Sequence, residues 1–284
     1  VVDNPFVIGD FVWTGFDYIG EASIGWRGYW QEANFYPWNL AFCGDIDICG
    51  WKRPQSYYRD ALWKENQISV FVKPPKPSFP VNPNKQAWSK WEWHDVVADW
   101  NWAGYENTPL DVTVYSSCDE AELFLNGKSL GRKPTTRETK FTATWQVPYH
   151  AGVLKAVGFT NGKQVSSSHL QTAQPPGKIK LSADRSTIKA NEQDLSYVTV
   201  ELVDANGTRN PKAENLIKFS IQGGTIVGVG NANPISLESY QLPQRKAWQG
   251  RCLIVVKSTK NAGDIILTAL AEGLQSSRIV IRAK

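Results

Sequence analysis

The sequence contains no methionine, only four cysteines and three histidines, and no long apolar run. Each shortage removes a class of function. A membrane-spanning helix needs about 18 or more consecutive apolar residues, and no stretch approaches that length. His94, His150 and His169 are far apart, and Cys43, Cys49, Cys118 and Cys252 lack the paired spacing of a zinc site. No metal held by protein ligands, and no cofactor, is therefore expected. Cys118 and Cys252 sit in strand-like text and read as buried thiols. Cys43 and Cys49 read either as a bridge or as two free thiols. Charge is also sparse: the net value is +4, with Lys and Arg scattered. A nucleic-acid binder would usually carry a basic stripe, so that partner is not expected. The opening "VVDNPFVIGD" has no basic segment, apolar core or cleavage site of a signal peptide, and reads as the interior of a larger unit.

What is abundant is tryptophan, and it is unevenly placed. Of 13 Trp, all but Trp145 and Trp248 fall between Trp13 and Trp102. Indole rings match the flat C–H faces of sugars, although Trp also buries a large area as plain core packing.

Phe6 to Thr14 reads as a nearly continuous apolar strand buried on both faces. A Gly-, Trp- and Pro-rich loop runs from Gly15 to about Arg53. "PQSYYRDALWKEN" then opens a helix, with Pro54 at a first-turn position where its missing N–H costs nothing. Tyr58, Ala61 and Leu62 fall on one face of that helix. Pro74, Pro75, Pro77, Pro80 and Pro83 mark a boundary passage.

Beyond it the pattern turns to strands. "LDVTVY" alternates in period two, and Asn126-Gly127 and Asn161-Gly162 supply the positive φ angles of type I′ hairpin turns. Pro175-Pro176-Gly177 is a second linker, followed by further alternating strands. Asn206-Gly207-Thr208 matches a glycosylation sequon but reads better as turn chemistry. The expected fold is mainly β: two immunoglobulin-like sandwiches preceded by one βα unit. The expected units are residues 1–66, a linker over 67–87, a sandwich over 88–172 and a second sandwich over 173–284.

"FVWTGFDYIGE", the Trp-rich loop and "KRPQSYYRDALW" together resemble the last βα unit of the (β/α)8 barrel in glycoside hydrolase family 2. The similarity is to the β-galactosidase-like members of gut Bacteroidetes. "ELFLNGKSLG" and "GNANP…QRKAW" resemble the domains that follow the barrel in that family, so the likeness covers the whole chain. It implies a retaining exo-β-glycosidase hydrolysing terminal β-linked sugars, with two carboxyl groups about 5 Å apart. In that family they lie on barrel strands four and seven, and this chain resembles the family from strand eight onward. No catalytic residue is therefore assigned here.

Glu21 lies in a barrel loop at the expected active-site end, but one carboxylate cannot be both acid and nucleophile. Two residues carry over as substrate-binding. Trp13 matches the strand-eight Trp that forms a wall of the sugar subsite. Asp17 either accepts a sugar hydroxyl or serves as a turn or capping carboxylate. Trp26, Trp30, Trp38 and Trp51 either rim the pocket or pack the loop. The resemblance implies carbohydrate as partner through the complete enzyme, leaves a homo-oligomer open, and suggests a periplasmic or extracellular setting. The alternative is a non-catalytic carbohydrate-binding or structural sandwich, with "WEWHDVVADWNW" as an aromatic platform. Exposed rings would support a platform, and buried rings would return it to core. The apolar surface of Phe6, Val7, Phe11 and Val12 is expected to pack against the first sandwich or a neighbouring chain.

Overall fold

A computed structural model describes residues 3–26, 36–79 and 93–284. The helix α1 (Pro54–Trp63) forms as the sequence suggests, with Pro54 at its start. Its inner side carries Gln55, Ser56 and Ala61, and Tyr58 packs edge-on against Tyr115 at 5.3 Å. Leu62 is turned outward, so the buried face is narrower than the apolar spacing implies.

Among the described residues, seven strands make the first sandwich. They are β1 (Ile68–Val72), β2 (Pro109–Ser116), β3 (Glu120–Leu125), β4 (Lys128–Pro134), β5 (Thr142–Pro148), β6 (Val153–Thr160) and β7 (Lys163–Gln171). One sheet has the order β1-β2-β5 and the other β4-β3-β6-β7. The strand β1 lies inside the 67–87 passage read as linker, yet its residues pair antiparallel with β2 from Ile68↔Ser116 to Val72↔Val112. Its four residues from Ser69 onward are all buried, so the sandwich recruits the chain before the prolines begin. Both Asn-Gly turns have positive φ at each position: 51° and 81° at Asn126-Gly127, 53° and 73° at Asn161-Gly162. They close the β3–β4 and β6–β7 hairpins in two residues, whose twist matches that of the flanking strands. The core gathers Trp100, Trp145, Leu123, Leu154 and Val112.

The second sandwich contains β8 (Lys178–Ala183), β9 (Thr187–Ile188), β10 (Leu195–Val203), β11 (Leu216–Gln222), β12 (Thr225–Gly230), β13 (Gln244–Lys246), β14 (Arg251–Lys257), β15 (Gly263–Ala271) and β16 (Ser277–Ala283). Its sheets run β12-β14-β10-β8 and β13-β11-β15-β16-β9. In β10 the burial alternates as period two requires, with Val198, Val200 and Leu202 inward against Ile254, Leu267 and Ile281. Asn206-Gly207 sits in a tight turn closed by the Gly207 N–H donating to Asp204 O at 3.0 Å, as its composition suggests. The 172–174 connection is tied to both sandwiches. The Ala173 N–H donates to Asn101 Oδ1 at 2.7 Å, and the Gln174 N–H to Asp204 Oδ2 at 3.0 Å.

The run from Phe6 to Thr14 is not a strand. Phe6, Ile8, Phe11, Val12 and Trp13 are exposed, with Phe11 at 101 %. The expectation that this face packs on the first sandwich is corrected, although Asp3 does reach Arg137 at 2.5 Å. The physical reason is the missing ladder: a strand buried on both faces needs hydrogen-bonded neighbours at both edges. Among the described residues no distant backbone pairs with 6–13, and regular contact begins only at Thr14, whose N–H donates to Cys43 O at 3.4 Å and whose carbonyl accepts the Asp45 N–H at 3.0 Å.

Candidate functional site

The loop that follows Trp13 is built around a buried ion pair. Asp17 is 5 % exposed and receives the Arg53 guanidinium at 3.1 and 3.2 Å and the Gly44 N–H at 2.7 Å. Arg53 immediately precedes α1, and its guanidinium also lies 3.4 Å from the Phe42 ring centroid. Gln55, in the first turn of the helix, donates to Gly44 O at 2.6 Å. Gly44 must be glycine here, since a Cβ would fall on the Asp17 backbone nitrogen. The backbone joins in: the Asp17 N–H donates to Ile46 O at 2.8 Å and the Ala41 N–H to Tyr18 O at 2.9 Å. Burial pushes the Asp17 carboxyl up to about 6, and Arg53 offsets only part of that. Burial likewise lowers Arg53 from its ordinary value.

Trp13 stands on this frame and is 68 % exposed. Its Nε1–H donates to Tyr18 Oη at 3.3 Å, with the two rings perpendicular at 6.4 Å. The Tyr18 hydroxyl in turn donates to Glu21, which is exposed and has a left-handed backbone (φ 41°). Partial burial and that carboxylate push the Tyr18 hydroxyl up to about 12. Of the two sequence-predicted sugar contacts, Trp13 is on the surface and Asp17 is inside. Asp17 holds the loop through Arg53, a role that neither of its sequence readings named. Sequence reasoning missed Arg53 and Gly44. The signal available was the Arg immediately before a helix-opening proline, which local spacing could not pair with an Asp 36 residues earlier.

The tryptophans divide. Trp26 is buried in a ring nest with Trp38 at 6.2 Å, Phe42 at 6.0 Å and Phe79 at 5.2 Å. Phe79 also stacks on Trp248 of the second sandwich at 6.1 Å. Trp51 is half-buried beneath Arg251, whose guanidinium carbon is 3.8 Å from the ring centroid. Trp30 lies outside the described residues. The proposed platform does not form from its C-terminal pair, because Trp100 and Trp102 are buried and donate inward to His150 O and Asp99 O. Trp93 is half-buried beside Tyr58, and Trp91 lies outside the described residues. Cys43 and Cys49 are two free thiols rather than a bridge, and Cys118 and Cys252 are buried.

The loop is clamped by the second sandwich. The Asn39 N–H donates to Pro234 O at 2.9 Å, and its side-chain amide to Ser236 O at 2.5 Å. The segment bearing Pro234 is itself fixed by Arg245, fully buried, which donates to Asn231 Oδ1 and Glu238 O at 2.9 Å each. This explains the "GNANP…QRKAW" pattern: its asparagine and arginine form one buried contact. Among the described residues no cluster of side chains could hold a metal ion, and no helix is long and apolar enough to cross a membrane.

Comparison with known proteins bears on this arrangement. The glycoside hydrolase family 2 C-terminal domain 5 matches residues 179–280, and a domain of unknown function, DUF4982, matches 107–166. A β-galactosidase, BoGH2A, of Bacteroides ovatus is 34% identical over 286 residues, covering 100% of this chain and 29% of its own length. A putative β-glucuronidase of Formosa agariphila is 35% identical, covering 82% of this chain and 20% of its own. Among solved structures, a family 2 member from Bacteroides cellulosilyticus is 51% identical with a TM-score of 0.95, covering 100% of this chain and 37% of that one. The chain thus spans well under half the length of these relatives. The chain belongs to glycoside hydrolase family 2 and corresponds to the C-terminal region of its members.

Proposed function

We propose that this chain is the C-terminal region of a retaining exo-β-glycosidase that removes terminal β-linked sugars, with β-galactosides as the first substrate class. The observation that carries the proposal is Trp13. A large apolar ring is 68 % exposed, yet it stands on a loop fixed by a buried ion pair and clamped by a second domain. Holding an indole open to solvent on a rigid base suits a ring wall for a pyranose, whose C–H face is apolar. The named activities of relatives, β-galactosidase and putative β-glucuronidase, support the reaction class. The acid and nucleophile are assigned to the remainder of the enzyme, and the two sandwiches to support. The exposed strip from Phe6 to Ile19 is the face that the remainder of the enzyme covers.

The boundaries that follow from this reading are a barrel-derived unit to about residue 66 and two supporting sandwiches, with β1 assigned to the first. A periplasmic or extracellular setting and a homo-oligomeric enzyme complete the proposal. The test is hydrolysis of nitrophenyl β-galactoside and β-glucuronide by the full-length enzyme, with the anomer of the first product read by NMR. Release of the β-anomer from the galactoside supports the reading. Release of the α-anomer, or cleavage of neither substrate, overturns it.

A further inference from the structure

A cleft of about 420 Å³ opens where the N-terminal loop, the first sandwich and the second sandwich meet. Its walls carry the rings of Tyr57, Trp102 and Trp248. Several of its charges already have partners. Arg53 is taken by Asp17, Lys52 by Asp60, and Lys212 by Asp99 at 2.6 Å. Asp47 Oδ1 accepts the Cys49 and Trp51 N–H groups at 2.9 and 3.0 Å.

Two arginines on neighbouring backbone segments are different. Arg251 opens β14 opposite Glu201 of β10, and Arg209 follows the same strand through the turn at Asn206-Gly207. The Arg251 guanidinium lies over the Trp51 ring and makes no hydrogen bond or ion pair among the described residues. Arg209 approaches Glu201 only at 3.9 Å, and one of its terminal nitrogens is buried with no partner. Placing two like charges side by side in a partly desolvated cleft is costly, and an anion between them removes the cost. Burial first and the Arg209 charge second bring Arg251 down to about 10, with the nearby Asp47 carboxylate offsetting only part of that.

We propose that this cleft binds an oxyanion, a carboxylate or sulfate, carried on a sugar. The two guanidiniums present planar donor forks suited to such groups, with Trp51 holding one fork in place. The aromatic walls supply the apolar surface a pyranose face requires. The oxyanion part rests on the arginines alone, and the sugar part rests on the glycosidase reading.

The test is calorimetric titration of the chain with glucuronate, glucose 6-sulfate, glucose and inorganic sulfate, each against the wild type, Arg251→Gln and Arg209→Gln. Thermal melts establish that each variant is folded, and the second variant keeps the test open if the first does not fold. The expected result is that the two charged sugars bind, glucose binds at least about tenfold more weakly, and each folded variant loses about tenfold or more in affinity for the charged sugars. Three results overturn the proposal: no binding of either charged sugar, glucose binding as tightly as glucuronate, or affinities unchanged in the variants. Inorganic sulfate binding as tightly as glucose 6-sulfate overturns the sugar part. Because no turnover is measured, failure here leaves the glycosidase reading untouched.

Discussion

Arg53 and Asp17 lie 36 positions apart in sequence and 3.1 Å apart in space, and between them they fix the loop on which Trp13 stands. The pair is almost closed to solvent, with side-chain exposures of 11% and 2%. In such a setting, removing one partner strands the other charge without water.

Arg53→Gln is therefore expected to destabilise the protein by about 3–5 kcal/mol, read from urea unfolding. It leaves the Asp17 carboxylate buried, removes the cation above Phe42 and takes a donor from Gly44 O. Asp17→Asn should cost less, because an amide oxygen still accepts from Gly44 and Arg53. Equal costs for the two substitutions would count against a burial-dominated pair.

The same pair gives a pH dependence with a definite sign. Asp17 holds its proton up to about 6 in the folded state, against 3.8 as the reference value. The folded state therefore binds more protons than the unfolded state across that window, and this group's contribution to stability falls as pH rises through it. The fall amounts to on the order of 3 kcal/mol. Subtracting the Asp17→Asn stability from the wild type at each pH isolates the effect from other carboxylates. The difference should decline from pH 4 to pH 6 and then level off. A flat difference contradicts the assignment.

Gly44→Ala tests the close approach that lets the pair form. The added Cβ meets the Asp17 nitrogen, Phe16 carbonyl carbon and Ile46 oxygen, all backbone, so nothing can swing aside. The expected cost is about 2 kcal/mol or more, with the loop displaced. Hydrogen exchange at the Asp17 and Ile46 amides, which donate to Ile46 O and Gly15 O in the wild type, should become fast. Unchanged protection would show that the loop accommodates the methyl group.

Much of the fold was legible because its signals are local. The Asn-Gly turns announce hairpins two residues long, and the alternation in β10 announces which side chains face inward. The strand expected over Phe6–Thr14 failed because its apolar pattern reports a demand for neighbours, which the described residues do not meet. In the same way, β1 was hidden by the prolines that follow it, although its pairing is set by β2 some forty residues on. At the site, family resemblance pointed to Trp13, and the structure leaves its ring exposed. The Asp17–Arg53 contact, the Asn39–Pro234 clamp and the Arg209–Arg251 pairing were not legible, since each joins distant segments that no periodicity connects.

Trp100→Ala probes the reading of the Trp-rich stretch as core. Trp100 is fully buried and contacts Tyr149 at 5.1 Å, so truncation should cost about 3–5 kcal/mol through lost burial and the cavity left behind. A carbohydrate platform residue would instead leave stability nearly unchanged and weaken glycan binding.

Trp13→Ala should do the reverse. Exposure at 68 % means little folding energy is at stake, and thermal stability should shift by about 0.5 kcal/mol or less. In the full-length enzyme, kcat/KM for a nitrophenyl β-galactoside should drop roughly 10- to 100-fold, the worth of burying one large apolar side chain against substrate. A stability loss with unchanged kcat/KM would make Trp13 a packing residue.

The central claim is that these residues complete and support a sugar pocket whose chemistry resides elsewhere in the enzyme. Its most direct test is to assay the 284-residue chain and the full-length enzyme side by side on nitrophenyl β-galactoside. The expected result is turnover by the full-length enzyme alone. Turnover by the 284-residue chain, abolished by Glu21→Gln, would contradict it and place a catalytic carboxylate in the loop beside Trp13.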